Sequence, residues 1–234
     1  MKKLNKLNRV YLLVLILLTV ATAIKIVMYQ GWKRYYYGAS VSAPSSYPIR
    51  VNRCEFILAN GETAYLGTTQ VNDQNSDWGD GDYSDPHRKE RLPVALVIDY
   101  ADYRSQQFYR DSIILPEKVI SETFKNELNK GEEVSQYQSA PVMSLNFVVG
   151  VANNGNIIVW LRGKSFEKVL VKHKASIHEP KADDTWYERR LSRKGYFNQA
   201  FNIDSAQNEE FKKGFDKHAN YIDTPSRFKT FMMR

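Results

Sequence analysis

The sequence predicts an α+β fold, mostly antiparallel β-sheet (meander or sandwich-like), with one inserted helix and C-terminal helices behind an N-terminal hydrophobic helix. Three observations carry that expectation. Residues 10–24 are uncharged and rich in Leu and Val, directly after a basic head. Beyond residue 30, β-branched and aromatic residues gather in short runs separated by Gly, Asn and Pro. Residues 116–131 and 204–222 instead repeat their apolar residues at helical spacing.

Lys2, Lys3, Lys6 and Arg9 form the head of a targeting segment, and residues 10–24 form its apolar body. Ala21-Thr22-Ala23 closes the run with the small residues that signal peptidase accepts, so cleavage after Ala23 would free a chain beginning at Ile24. In the competing reading the run continues through Lys25, whose long side chain reaches the headgroups, to Tyr29 and Trp32 at the interface. Such a helix of about 20 residues, roughly 30 Å long, spans a bilayer. Residues 1–30 are thus a signal anchor or a signal peptide, and residues 31–234 a single domain outside the cytoplasm. That domain is expected either on the inner membrane, facing the periplasm and held through residues 10–29, or free in the periplasm.

The first β run covers residues 35–43 and stops at Pro44; the second covers 47–58. Asn60-Gly61 tolerates the positive φ of a tight hairpin and leads into 63–68. Val94, Leu96, Ile98 and Tyr100 share one face of the next run, and 107–115 returns antiparallel to it. Pro116 opens a helix with Ile120, Phe124 and Leu128 on one side, and Gly131 stops it. Residues 145–152, Asn153-Asn154-Gly155 and 157–162 make the clearest hairpin, and Gly163-Lys164-Ser165 turns the chain into 166–174 to complete a meander. A short helix is expected over 183–193. A longer one is expected from Asp204, with Phe211, Phe215, His218 and Ile222 on its buried face.

Composition excludes several classes of function. The formal net charge is +7, and removing the four bases of the head leaves +3, so the basic balance gives no argument for nucleic acid. Cys54 is the only cysteine, which rules out an internal disulfide or a Cys-clustered metal site, and it lies too far from the apolar run to carry a lipid. No G-x-S-x-G elbow occurs. No two of His87, His173, His178 and His218 have zinc-type spacing on one element. His173 alternates with Val169 and Val171 and reads as a strand residue, His218 reads as a core imidazole, and Asp183-Asp184 reads as a helix cap. Residues 73–85 carry five aspartates, and their start matches D-x-N-x-D. Trp78 stands where a calcium loop needs Gly and Ser84 where it needs Glu, so the expectation is a solvated acidic loop, with calcium left open. No catalytic, cofactor or metal residues are assigned. Trp78, Tyr83, Trp186 and Tyr187 are the aromatic residues expected to touch a protein partner.

A set of short motifs completes the reading. These are Ser42-Ala43-Pro44 with Tyr47-Pro48, Trp78-Gly79-x-Gly81, Leu92-Pro93, Phe108-Tyr109 running into Leu115-Pro116, Val149-Gly150 and Val159-Trp160-Leu161. In this order the chain resembles, over residues 32–174, the bacterial envelope family catalogued as domain of unknown function 2931. The resemblance implies a Gram-negative envelope protein with no established catalytic residues. Members are typically lipoproteins, and this chain departs from them in lacking a lipobox cysteine. Some relatives lie beside secreted-toxin genes, which implies by analogy an immunity protein against an effector delivered to the periplasm. The expected function is non-enzymatic protein binding. The alternatives are a structural or accessory envelope component, and a periplasmic enzyme or ligand carrier.

Overall fold

The computed structural model describes residues 5–66, 70–71, 78–80, 88–135, 142–201 and 218–232, with single positions at 203, 208, 209 and 211. The chain divides into two units, Met1–Arg34 and Tyr35–Arg234. In the first unit, helix α1 spans Lys6–Tyr29 without a break at Ala23-Ile24, and none of its residues is buried. By length and composition it can cross a membrane. Its last turn closes at Gln30, in the left-handed region at φ 47°, whose amide donates to the Ile26 carbonyl. The Arg34 guanidinium then lies 4.5 Å from the Tyr29 ring centre.

The second unit is a two-sheet sandwich. The first sheet has the order β8-β7-β6-β1, with β1 at Tyr37–Ser42, β6 at Met143–Val151, β7 at Asn156–Arg162 and β8 at Glu167–Lys174. The second has the order β9-β5-β4-β2-β3, with β2 at Ile49–Leu58, β3 at Thr63–Tyr65, β4 at Pro93–Asp102, β5 at Gln107–Ile114 and β9 at Ser176–His178. The β6-β7-β8 meander is as expected, and its first turn holds Asn154 at φ 60° and Gly155 at φ 76°. β1 pairs with β6 in parallel, Leu145 opposite Tyr37 and Gly150 opposite Ser42. The chain leaves the first sheet after β8 and crosses to pair β9 with β5.

Alternation along each strand sorts the side chains. Leu145, Phe147, Val149 and Val151 of β6 and Ile157, Val159 and Leu161 of β7 face inward, against Phe56 of β2 and Leu96, Ile98 and Tyr100 of β4. Helix α2, Glu117–Asn129, closes one end as predicted by burying Ile120 and Phe124. Phe124 lies 5.2 Å from Tyr35 and 5.8 Å from Phe147, ring centre to ring centre, so two of the three consecutive tyrosines serve the core.

The outward faces are covered as well. Helix α3, Arg193–Gln199, together with the residues after it, lays Tyr196, Phe197, Ala200 and Phe201 over Ala101 and Phe108 of the second sheet. On the first sheet, Val148, Ala152, Ile158 and Trp160 pack with Trp78, Tyr221 and Ile222. Gly150 makes that second layer possible, because a Cβ there would lie 2.3 Å from the Trp160 ring.

Three expectations are corrected. Residues 183–193 form a turn and then a hairpin, β10 at Trp186–Tyr187 and β11 at Arg189–Arg190, because Asp184 is drawn to Arg110 instead of capping a helix. His218 sits exposed in a turn, and Tyr221–Asp223 is a single 3-10 turn, so the helix from Asp204 does not reach Ile222; most of 204–217 lies outside the described residues. On β8, a register shift opposite Val159 and Trp160 leaves Leu170 as an extra residue, so Val169 faces solvent while Leu170 and Val171 pack on the core.

Candidate protein-interaction site

The β10-β11 hairpin presents Trp186 at 59% exposure, opposite Arg190. Glu188 turns the chain at φ 57°, and Arg189, Arg190 and the neighbouring Lys194 are exposed. Tyr187 is half-buried, with the Arg50 guanidinium 5.0 Å from its ring centre. Arg50 in turn donates to the Ala200 carbonyl at 2.9 Å, tying the hairpin to α3. Ser192 caps α3 by accepting from the Gly195 amide at 3.2 Å.

A charged cluster lies beneath the hairpin. Arg110 of β5 donates to Asp99 of β4 at 2.6 Å and to Asp184 at 2.9 Å, and Asp184 also accepts from the Lys181 amide at 2.6 Å. His178 of β9 donates through Nδ1 to the Glu179 carbonyl at 3.0 Å, and its Nε2 faces Asp99 Oδ1 at 3.7 Å. Both ring nitrogens therefore address protein atoms. Burial, with Asp99 and Asp184 adding to it against Arg50, pushes the Tyr196 phenol up to about 12, so it stays neutral. The cluster draws on β4, β5, β9 and α3, and no local spacing in the sequence signals it.

A second histidine pair joins the two sheets. His173 Nε2 lies 2.9 Å from Asp111 Oδ2, which also accepts from the Ser176 amide at 3.3 Å. Burial raises the Asp111 carboxyl, but the bond to His173 and the Ser112 and Ser176 amides outweigh it and hold the group below its ordinary range. A carboxylate depressed in the folded state stabilises above its unfolded pKa of about 3.9, and that contribution disappears as pH falls through the folded value. Asp111→Asn is therefore expected to lower the urea midpoint at pH 6 and to leave it nearly unchanged at the acid end of a titration. A difference that is constant with pH would contradict this.

The four aromatic residues singled out above divide. Trp186 is exposed and Tyr187 half-buried beside it, whereas Trp78, expected as a contact, is 5% exposed and stacked edge-on to Trp160 at 5.1 Å. Tyr83 and most of the acidic loop lie outside the described residues. Cys54 is free and buried, and burial together with Glu55 pushes its thiol well up. Among the described residues no three His, Cys, Asp or Glu side chains are placed to hold a metal ion.

The fold and this surface define a class: a β-sandwich carrying an exposed aromatic and arginine hairpin, behind an apolar helix long enough to span a bilayer. The family described as Protein of unknown function (DUF2931) matches residues 24–220, and the chain belongs to that family. No curated protein and no solved structure matches it significantly. The motif residues Ser42, Trp78, Gly79, Gly150 and Trp160 converge on the outer face of the first sheet, where the Gly79 amide donates to Ser42 Oγ at 3.1 Å.

Proposed function

We propose that this chain is a non-enzymatic envelope protein whose sandwich, displayed in the periplasm, binds another protein through the Trp186–Arg190 hairpin. The carrying observation is the exposed indole set among arginines on a braced hairpin, because Trp, Tyr and Arg dominate interface energetics. Arg189, Arg190 and Lys194 suit an acidic partner surface. An antibacterial effector delivered to the periplasm fits that role, making the chain an immunity protein. The apolar helix α1 would direct the chain to the membrane, as an anchor or as a signal cleaved after Ala23.

Affinity capture of the tagged full chain from membranes tests the reading. Trp186→Ala is expected to weaken the captured complex by about 2 kcal/mol or more, roughly thirtyfold, while changing stability by less than about 0.5 kcal/mol. Retention of the partner at undiminished affinity would remove the hairpin from the interface. Co-expression with a neighbouring toxin gene separates immunity from a structural envelope role, since only the first predicts rescued growth.

A second reading, a ligand carrier or enzyme, has one observation in its favour: Asp99 Oδ1 and His178 Nε2 are buried, face one another and lack hydrogen-bond partners. Loss of a ligand-induced thermal shift in His178→Ala, with capture unchanged, would favour it.

A further inference from the structure

We infer that the charged cluster beneath the hairpin holds His178 as an imidazolium, and that this proton latches the Trp186–Arg190 hairpin in place, which makes binding through it pH-dependent. The binding half rests on the reading of the hairpin as the interaction surface. His178 Nδ1 lies 3.0 Å from the Glu179 carbonyl and 3.9 Å from Asp184 Oδ2, while Nε2 faces Asp99 Oδ1 at 3.7 Å. All three partners are acceptors. A neutral imidazole carries one N–H, so it must aim a lone pair at one of them. The atoms left over are Asp99 Oδ1 and His178 Nε2, which are shielded from water and have no hydrogen-bond partner. A second N–H on the ring turns those two facing acceptors into an opposite-charge contact.

The groups around the ring favour the same state. β4 brings Asp99, while Arg53, opposite it on β2, turns to Glu55, and Arg50 of β2 meets the cluster at Tyr196. β5 brings Arg110 and the Phe108 ring, whose centre lies 6.2 Å from that of His178. α3 brings the neutral Tyr196 phenol and Arg193, which pairs with the exposed Glu179 carboxylate at 3.6 Å. The turn after β9 brings Asp184 and an exposed Lys181. Asp99 and Asp184 are 6% and 8% exposed, and Arg110 pairs with both. A protonated His178 also pairs with both, which closes a square of two carboxylates and two cations. As pH rises through the range in which imidazoles give up a proton, about pH 5 to 8, two sides of that square vanish. Asp99 is fixed on a central strand, so the loss falls on Asp184. Asp184 accepts from the Lys181 amide at 2.6 Å and so holds the turn that feeds the hairpin, where the Trp186 amide donates to the Asp183 carbonyl at 3.2 Å.

Nitrogen NMR of the full chain in detergent, labelled at histidine, reads the ring without any partner. Both His178 nitrogens are expected to show the similar shifts of an imidazolium at the acid end of the range, and one is expected to become an unprotonated nitrogen at the alkaline end. Hydrogen-exchange protection of the Trp186 and Leu191 amides is expected to fall about tenfold or more over the same range, relative to β4, as one charge-assisted bond is lost. His178→Gln offers an amide donor that does not titrate, and should abolish that pH dependence. Three results overturn the latch: a neutral ring at the acid end, protection that does not vary with pH, or the same variation in His178→Gln. Capture of the partner separates the two readings. Undiminished capture by Trp186→Ala, with ring and protection behaving as expected, removes the binding surface and keeps the latch. Lost capture with pH-independent protection does the reverse.

Discussion

Replacing Glu167 by alanine is expected to destabilise the sandwich by about 3–5 kcal/mol, a large part of a typical domain's stability. The cost comes from what remains. Arg162, whose Nε donates to Glu167 Oε2 at 2.7 Å, would keep its guanidinium beneath the surface, held by the Gly79 carbonyl and by the Trp160 and Phe228 rings, whose centres lie 5.5 and 5.0 Å away, without the carboxylate it pairs with among the described residues. Ser226 would lose its acceptor at the same time. Removing both charges should behave differently: with Arg162→Met and Glu167→Leu together, most of the loss is expected to return, because the desolvation cost of the pair disappears with it. Urea unfolding of the single and double variants checks this, and a double variant as unstable as Glu167→Ala would show that packing, not the orphaned charge, sets the cost.

The second large effect is expected at Phe147. This ring is fully buried and lies 5.3 Å from Tyr37, 5.2 Å from Phe56 and 5.8 Å from Phe124, so it joins both sheets to α2. Phe147→Ala removes a whole aromatic side chain from a site whose walls come from three elements and cannot all collapse inward. The expected loss is about 3–5 kcal/mol, or roughly 10 °C in Tm for a domain of this size. Ile114→Ala is the control: at 83% exposure it should change stability by less than about 0.5 kcal/mol. Similar losses at both positions in a thermal melt would contradict the assignment of the core.

Elements whose partners lie close in sequence were legible. Asn153-Asn154-Gly155 specifies its own hairpin, and Ile120 with Phe124 specifies the buried side of α2. The parallel pairing of β1 with β6 was not, because about a hundred residues separate Ser42 from Gly150 and no turn residue records which strand lies alongside. Trp78 misled for a related reason. An indole flanked by aspartates and glycines reads as an exposed loop, yet Gly79 at φ 77° and the space that Gly150 leaves for Trp160 bring it inside. Residues 183–193 carried a capping signal that the fold spends elsewhere, since Asp184 answers Arg110 and Tyr187 answers Arg50. The candidate site was half visible: Trp186 and Tyr187 stood out as aromatic residues, but the brace under them comes from Arg50, Asp99, Arg110 and Tyr196, which only the folded chain brings together.

The extra residue at Leu170 in β8 has a colloidal consequence. A sandwich with a long, regular outer strand is a template on which neighbouring copies can add strands without limit. Here β8 is irregular at Leu170 and carries exposed Lys168, Lys172 and Lys174, while among the described strands β1, at the other end of the first sheet, is wholly buried, and β3 and β9, at the ends of the second, are three residues long. Polymerisation through these sheet edges is therefore opposed by charge repulsion at β8, by burial at β1 and by short length at β3 and β9, and crowding the molecules together does not relieve these obstacles.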